Sequence, residues 1–245
     1  MDLMNFDLPL VLPQWSAPSN IIAYSTTRHG GVSDEPYQSL NLGCHVHDDI
    51  AAVTNNRQRL PYANKLHWLN QVHGHQVIDL PSEENTADAA ISRTPDHFCA
   101  VMTADCVPVL LCNKQGTEVA AVHAGWQGLK VKIIDHTLAR LATSAPDIYA
   151  WIGPAICQQC YEVSHQVAQH FSQYPGVLKR SANAEKYLLN LPLVAEYQLL
   201  AAGVKNVTQA GICTYEDERF FSHRQATHNQ LSHTGRQVSV IGLIA

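Results

Sequence analysis

The chain has 245 residues, 46% hydrophobic and 15% charged, enough for a full hydrophobic core in one large domain or two small ones. Its 16 basic and 21 acidic residues give a net charge of -5 with no basic block, which argues against nucleic acid and anionic membranes as partners. No apolar run approaches the roughly 18 residues of a membrane span, Met1 to Trp15 lack the pattern of an export signal, and seven cysteines make an unpaired number, so a cytoplasmic protein without a disulfide framework is expected.

In chain order, Ile21 to Thr27 reads as a strand from its β-branched and aromatic content, closed by a tight turn at Arg28-His29-Gly30-Gly31-Val32-Ser33. Asp48 to Leu60 predicts a capped helix carrying Asn55, Asn56 and Arg57. Trp68 to Val72 and Gln76 to Leu80 predict two strands joined at His73-Gly74-His75, with Ala87 to Ile91 beginning a third. Phe98 to Met102, Val107 to Leu111 and Glu118 to Val122 are too continuously apolar for one-sided burial and predict a central sheet covered on both faces, with Pro108 at a strand start or bulge. Leu129, Ile133, Leu138 and Leu141 follow helical spacing and predict one helix from about Trp126 to Ala142. Ile148 to Ile152 is a buried strand, Glu162 to Phe171 and Leu191 to Ala202 read as helices, the second ended by Gly203, and Val204 to Gly211 and Val238 to Leu243 close the sheet. No repeat, low-complexity tract or long linker interrupts the pattern, so a single α/β domain spanning residues 1–245 is expected.

The chemistry concentrates where apolar runs stop. Asn70-Gln71-Val72-His73-Gly74, Thr103-Ala104-Asp105-Cys106 and Val122-His123-Ala124-Gly125-Trp126 each end on one metal-competent side chain beside small residues. Two imidazoles and a thiolate are a donor set that a catalytic zinc site uses while its fourth position stays open. The spacing also fits hydrogen-bonded edge histidines around a buried thiol, and it fits a hydrolase in which Cys106 attacks and His123 is the base. The turn from Gly125 to Gly128, opening a helix, suggests an anion seat beside the metal, and Asp105 is a candidate general base or outer-shell acceptor. A separate site at Cys157-Gln158-Gln159-Cys160 with His165 lacks an evident fourth ligand. His45-Val46-His47 and His73-Gly74-His75 invite a copper reading, but blue copper takes an axial methionine, and of Met1, Met4 and Met102 only Met102 is near Cys106. The zinc deaminase signature and the Walker and Rossmann phosphate loops are absent.

Taken together, the turn at Arg28 to Ser33, Asn41-Leu42-Gly43, Asn56-Arg57, Gln71 to Gly74, Ala87-Asp88-Ala89, Thr103 to Cys106, Val122 to Trp126, Ile152-Gly153-Pro154, Tyr161-Glu162-Val163 and Phe220-Phe221-Ser222 closely resemble the YfiH family, also called polyphenol oxidoreductase, laccase-domain or peptidoglycan editing factor proteins. The resemblance runs through nearly the whole chain. It implies an α/β (or α+β) fold with a central mixed sheet covered by helices, like the catalytic domain of cytotoxic necrotising factor, and zinc held by His73, Cys106 and His123, copper being the alternative. It also implies a purine nucleoside phosphorylase acting on adenosine, inosine, guanosine or methylthioadenosine with phosphate, with adenosine deaminase activity, and substrate contacts from Asn41, Arg57, Gly125 and Trp126. Muropeptide editing, or another cysteine or zinc hydrolysis of cell-wall precursors, is the competing activity, and a copper polyphenol oxidase stands behind it. Three positions depart from the family pattern: Gln127 replaces a frequent Arg, His47 a usual Gly, and His223 a common aromatic. Sequence does not fix the oligomeric state.

Overall fold

Period-two burial in the central apolar runs separates two cores across one sheet. The computed structural model describes residues 7–244, so Met1 and Met4 of the copper argument lie outside it. In chain order the first half contains β1 (Leu10–Val11), β2 (Ile21–Thr26), α1 (Ile50–Gln58), β3 (Leu66–Trp68), β4 (Val77–Leu80), β5 (Ala89–Ser92) and β6 (Phe98–Thr103). Next come β7 (Val107–Asn113), β8 (Val119–Ala124), α2 (Trp126–Lys130), α3 (Ile133–Leu138), β9 (Ile148–Ile152), β10 (Glu162–Ser164) and α4 (His165–Gln169). The last part holds β11 (Leu178–Arg180), β12 (Lys186–Leu189), α5 (Leu191–Ala201), β13 (Asn206–Gln209), α6 (His223–His228) and β14 (Gln237–Leu243).

Two mixed sheets stack face to face. One has the order β13-β9-β7-β8-β5-β4 and the other β1-β2-β14-β6-β3, while β10-β12-β11 form a small third sheet. On the six-stranded sheet Val109, Leu111, Ala120 and Val122 face Ile133, Leu191 and Leu199 of the helical layer. The alternate residues Leu110, Cys112, Val119 and Ala121 face Cys99, Val101 and Ile241 of the five-stranded sheet. Phe98, Ala100 and Met102, on the other face of β6, pack with Tyr24, Leu40 and Leu42. Each of the larger side chains so buried contributes about 1.5–3 kcal/mol of transfer free energy.

The α/β class and both-face burial of the central strands hold, and the second cover is another sheet rather than helices. Three local expectations change. Trp126 to Ala142 is two short helices because Lys132 takes a left-handed φ of 64° between them. The stretch from Glu162 begins as β10, whose backbone pairs with β12, before α4 starts behind the Ser164 cap. The strands around His73 do not form a hairpin: β3 pairs with β6 in one sheet and β4 with β5 in the other. The chain therefore crosses between these two sheets four times, at β3–β4, β5–β6, β6–β7 and β13–β14, and two of the crossings carry candidate ligands, β3 to β4 through His73 and β6 to β7 through Ala104, Asp105 and Cys106. No helix among the described residues is long and apolar enough to cross a membrane.

Candidate metal centre and flanking cavities

Those two crossovers and the end of β8 bring His73, Cys106 and His123 together, with one ligand-type atom from each lying within 4.8 Å of the others. His73 Nε2 stands 3.9 Å from Cys106 Sγ, and the two imidazoles meet edge to face with centroids 4.7 Å apart. Exposure is graded across the set: His73 is exposed, Cys106 half-buried and His123 3% exposed.

Asp88, directly before β5, organises the group. Its carboxylate accepts His123 Nδ1–H at 2.8 Å, which leaves Nε2 of that ring for the thiol side. It also accepts the backbone N–H groups of Val72, His73 and Gly74 at 3.2, 2.9 and 2.7 Å, and its own carbonyl accepts His123 N–H at 2.7 Å. One fully buried carboxylate thus fixes a ring and the loop carrying the second ring. His73 takes a left-handed φ of 60°, a cost this clasp offsets. Gln71 anchors the same loop by pairing its amide with both backbone groups of Met102 at 2.8 Å.

Electrostatics follow the geometry. Burial alone pushes the Cys106 thiol up, but the neighbouring His123 and His73 outweigh it and bring the thiol down to about 6. Burial opposes charge on His123, while Cys106 and Asp88 raise it to about 9. Asp88 also pays for burial, and its bonds from His123, Gly74 and Val72 hold it below the usual carboxylate value. Cys106 and His123 thus each favour the charged form of the other, above a carboxylate that favours charge on the imidazole.

This donor set fits a metal ion. It offers two imidazoles and a readily ionised thiol, and one ring nitrogen is already oriented by a carboxylate. Gly125 makes room for it, since a Cβ there would lie 3.0 Å from Cys106 Sγ and 3.1 Å from His73 Cδ2. Gly125→Ala is accordingly expected to weaken metal binding at least tenfold by displacing two ligands, with little change in urea stability measured in chelator. Unaltered affinity by competitive chelator titration would contradict that steric reading.

Two cavities flank His73 and Cys106. One of about 270 Å³ has an aromatic and apolar wall of Trp126, Ile156, Tyr161 and Leu191 and a polar one that includes Gln127, Asp105 and Arg224. The other, about 340 Å³, is lined by His45, Gln71, Thr103, His123 and Arg236. His223 borders both. Burial, and then the charge of Arg236, lower the pKa of His45, favouring its neutral form beside the fixed guanidinium.

Sequence-predicted residues distribute unevenly around this centre. Gly125 and Trp126 adjoin it. Asp105 borders the aromatic cavity at a left-handed φ of 89°, but Thr214 Oγ1 donates to its Oδ1 at 2.8 Å and Arg224 N–H to its Oδ2 at 2.7 Å. Asn41 is fully buried away from both cavities, where its Oδ1 accepts the Arg236 N–H at 2.9 Å. Arg57 donates twice to the Leu42 carbonyl and lies 3.8 Å above the Trp68 ring. Neither Asn41 nor Arg57 lines either of these two cavities, and Asn41 touches the second only through the backbone of Arg236. The anion seat expected at the opening of a long helix loses its basis, because α2 is only Trp126–Lys130. Positive charge comes instead from Arg236, which sequence reasoning passed over. The His-x-His pairs also separate: His47 packs at a tilt against His233 and His75 against His136, while His45 alone of the first pair reaches the cavity. His47 has a φ of 69°, the conformation for which a glycine is usual.

Residues 22–244 match the family model described as multi-copper polyphenol oxidoreductase laccase, and a protein named purine nucleoside phosphorylase YfiH from Escherichia coli (strain K12) is 44% identical over 96% of this chain and 99% of its own. The chain belongs to the YfiH family. A Haemophilus influenzae family member named purine nucleoside phosphorylase is 41% identical over 94% of this chain and 97% of its own. Among solved YfiH-family structures, Neisseria meningitidis protein NMB0706 superposes with a TM-score of 0.88 at 36% identity, covering 96% of this chain and 99% of that one. YlmD from Geobacillus stearothermophilus gives a TM-score of 0.86 at 31% identity, covering 97% and 99%. Of the described histidines outside the triplet, His45 and His223 line the cavities beside it, whereas His47 with His233 and His75 with His136 form separate ring pairs.

Proposed function

We propose that this chain is a zinc-dependent purine nucleoside phosphorylase that takes adenosine, inosine, guanosine or methylthioadenosine with inorganic phosphate, and that also deaminates adenosine. The observation that carries the reading is the juxtaposition, across His73 and Cys106, of a cavity walled by Trp126 and Tyr161 and a polar one holding Arg236 and His45. Relatives named as purine nucleoside phosphorylases over nearly the full chain support it.

Phosphorolysis breaks the bond between C1′ of the ribose and N9 of the base, forms a bond from C1′ to a phosphate oxygen, and returns a proton to the departing base. In this reading Trp126 and Tyr161 hold the flat base and exclude water from it. Arg236 neutralises the phosphate, and neutral His45 hydrogen-bonds it without competing for its charge. His73, Cys106 and His123 are the metal ligands, and zinc bound there supplies a Lewis acid that polarises a substrate oxygen or acidifies a water. Asp88 keeps the ligand rings in place, and Asp105 positions Cys106 rather than moving a proton, since both its oxygens are engaged. Gln127 and His223, which line the cavities, set the choice among nucleosides. Free cysteines throughout the described chain suit the cytoplasm.

The test is a chromatographic assay of the purified protein with inosine or adenosine, with and without phosphate. Phosphate-dependent release of free base with ribose 1-phosphate, inosine formation from adenosine, and zinc on elemental analysis are the expected results. Base release that ignores phosphate, turnover of a serine-containing muropeptide instead, or copper as the bound metal would overturn the reading.

A further inference from the structure

On the six-stranded sheet, β9 and β13 are parallel neighbours, and their backbones stay paired beyond the strand ends through the bridge between Ala155 and Cys213. Ala155 N–H donates to the Ile212 carbonyl at 3.2 Å, and Thr214 N–H returns to the Ala155 carbonyl at 3.1 Å. This continuation carries Cys157 and Cys160, the latter ending a single tight turn, against Cys213 and Glu216. A sulfur or carboxylate oxygen from each of these four side chains lies within 4.8 Å of the others. Cys157 Sγ is 3.8 Å from Glu216 Oε2, and Cys157 N–H points at Cys213 Sγ from 3.3 Å. The sequence-suggested partner His165 is elsewhere, bonded to Gln169 at 2.8 Å.

We propose that Cys157, Cys160, Cys213 and Glu216 form a second metal site, distinct from the centre at Cys106, that binds zinc as a structural ion. Three thiolates and one carboxylate complete a four-coordinate shell, the closed arrangement of structural zinc. Zinc–sulfur bonds near 2.3 Å in a tetrahedron set sulfurs about 3.8 Å apart, so the observed cluster needs only a small contraction. Soft sulfur donors select zinc over magnesium or calcium. The Cys157 backbone N–H aimed at Cys213 Sγ would remain as a hydrogen bond to the bound sulfur. The three thiols are half-buried and Glu216 is exposed, at the edge of an open cleft of about 920 Å³ that gives an ion its way in.

The ion fastens two segments that meet the other centre. Ile156, next to Cys157, donates its N–H to the Asp105 carbonyl at 3.0 Å, and Thr214, next to Cys213, holds the Asp105 carboxylate. Zinc here therefore pins the support behind Cys106.

The experiment is zinc stoichiometry and cobalt titration of the full chain purified under reducing conditions. Cys106→Ala is expected to retain one equivalent, with the strong near-ultraviolet charge-transfer absorption of three thiolates on cobalt; this arm does not depend on what the Cys106 centre binds. Cys160→Ser should lose that signal, and Glu216→Gln, a change at an exposed side chain that leaves folding intact, should weaken zinc at least tenfold. A folded Cys106→Ala protein that takes up neither zinc nor cobalt overturns the proposal. So does recovery of these cysteines as a disulfide from cells lysed in alkylating agent, if the reduced protein then fails to bind cobalt.

Discussion

Cys106→Ala is expected to empty the centre between the two sheets and to lower kcat/KM for phosphorolysis by about 10³-fold. A bound Lewis acid supplies several kcal/mol of transition-state stabilisation, and about 4 kcal/mol corresponds to that factor. The substitution removes a half-buried thiol from a crossover loop rather than from the core, so urea stability in chelator should change by no more than about 1 kcal/mol. His73→Ala should behave alike, its side chain being exposed. The loss of one zinc equivalent relative to the wild type on elemental analysis, beside steady-state kinetics, checks both. If Cys106 were instead a nucleophile, the alanine variant would lose activity while the other ligands kept their metal; full turnover by a metal-free variant would refute a catalytic ion altogether.

The second large effect belongs to Asp88. Asp88→Ala leaves His123 Nδ1–H and three backbone N–H groups facing a buried void, and a destabilisation of about 3–5 kcal/mol is expected. Asp88→Asn keeps the shape but aims an NH₂ group at donors, and should cost less stability while weakening zinc by about 10–100-fold. Urea unfolding in chelator and calorimetric zinc titration measure the two quantities separately. Because Asp88 ionises below its usual 3.8, its stabilisation is complete above that pH and disappears as the pH falls through the lower folded value. The gap between wild type and Asp88→Asn should therefore close in acid. A gap that stays constant down to unfolding would mean that the carboxylate's charge is not what holds the loop.

Much of this arrangement was legible in the amino-acid sequence. The runs at β6, β7, β8 and β9 announced strands buried on both faces, since each is apolar without alternation. The ligand triplet was readable as three apolar stretches ending on a donor. Its convergence was not, because two ligands ride on connections between sheets, and sheet membership leaves no trace in local spacing. The helix break at Lys132 was invisible for a related reason: a lysine at positive φ has no composition signal, whereas glycine at Gly203 marked the end of α5 correctly. Asp88 carried a usable signal, being an acid between alanines at the head of a buried strand, where a charge demands partners. Arg236 and the pairing of Cys213 with Cys157 had none, since their partners lie far away in sequence. Asn41 and Arg57 show the converse, since polar residues in a matching motif bond to the backbone of the scaffold instead of reaching the cavities.

The graded exposure of the triplet gives metal traffic a direction. His123 is rooted in a strand and shut away from water, whereas His73 stands in the open on a loop whose grip comes from Asp88. Were an ion held there as proposed, loading and loss would proceed through His73: an incoming chelator or rival cation would detach that ring first, pass Cys106 next, and reach His123 last. The three side chains are arranged as a latch is on a door, with one side hinged and the other side built to open.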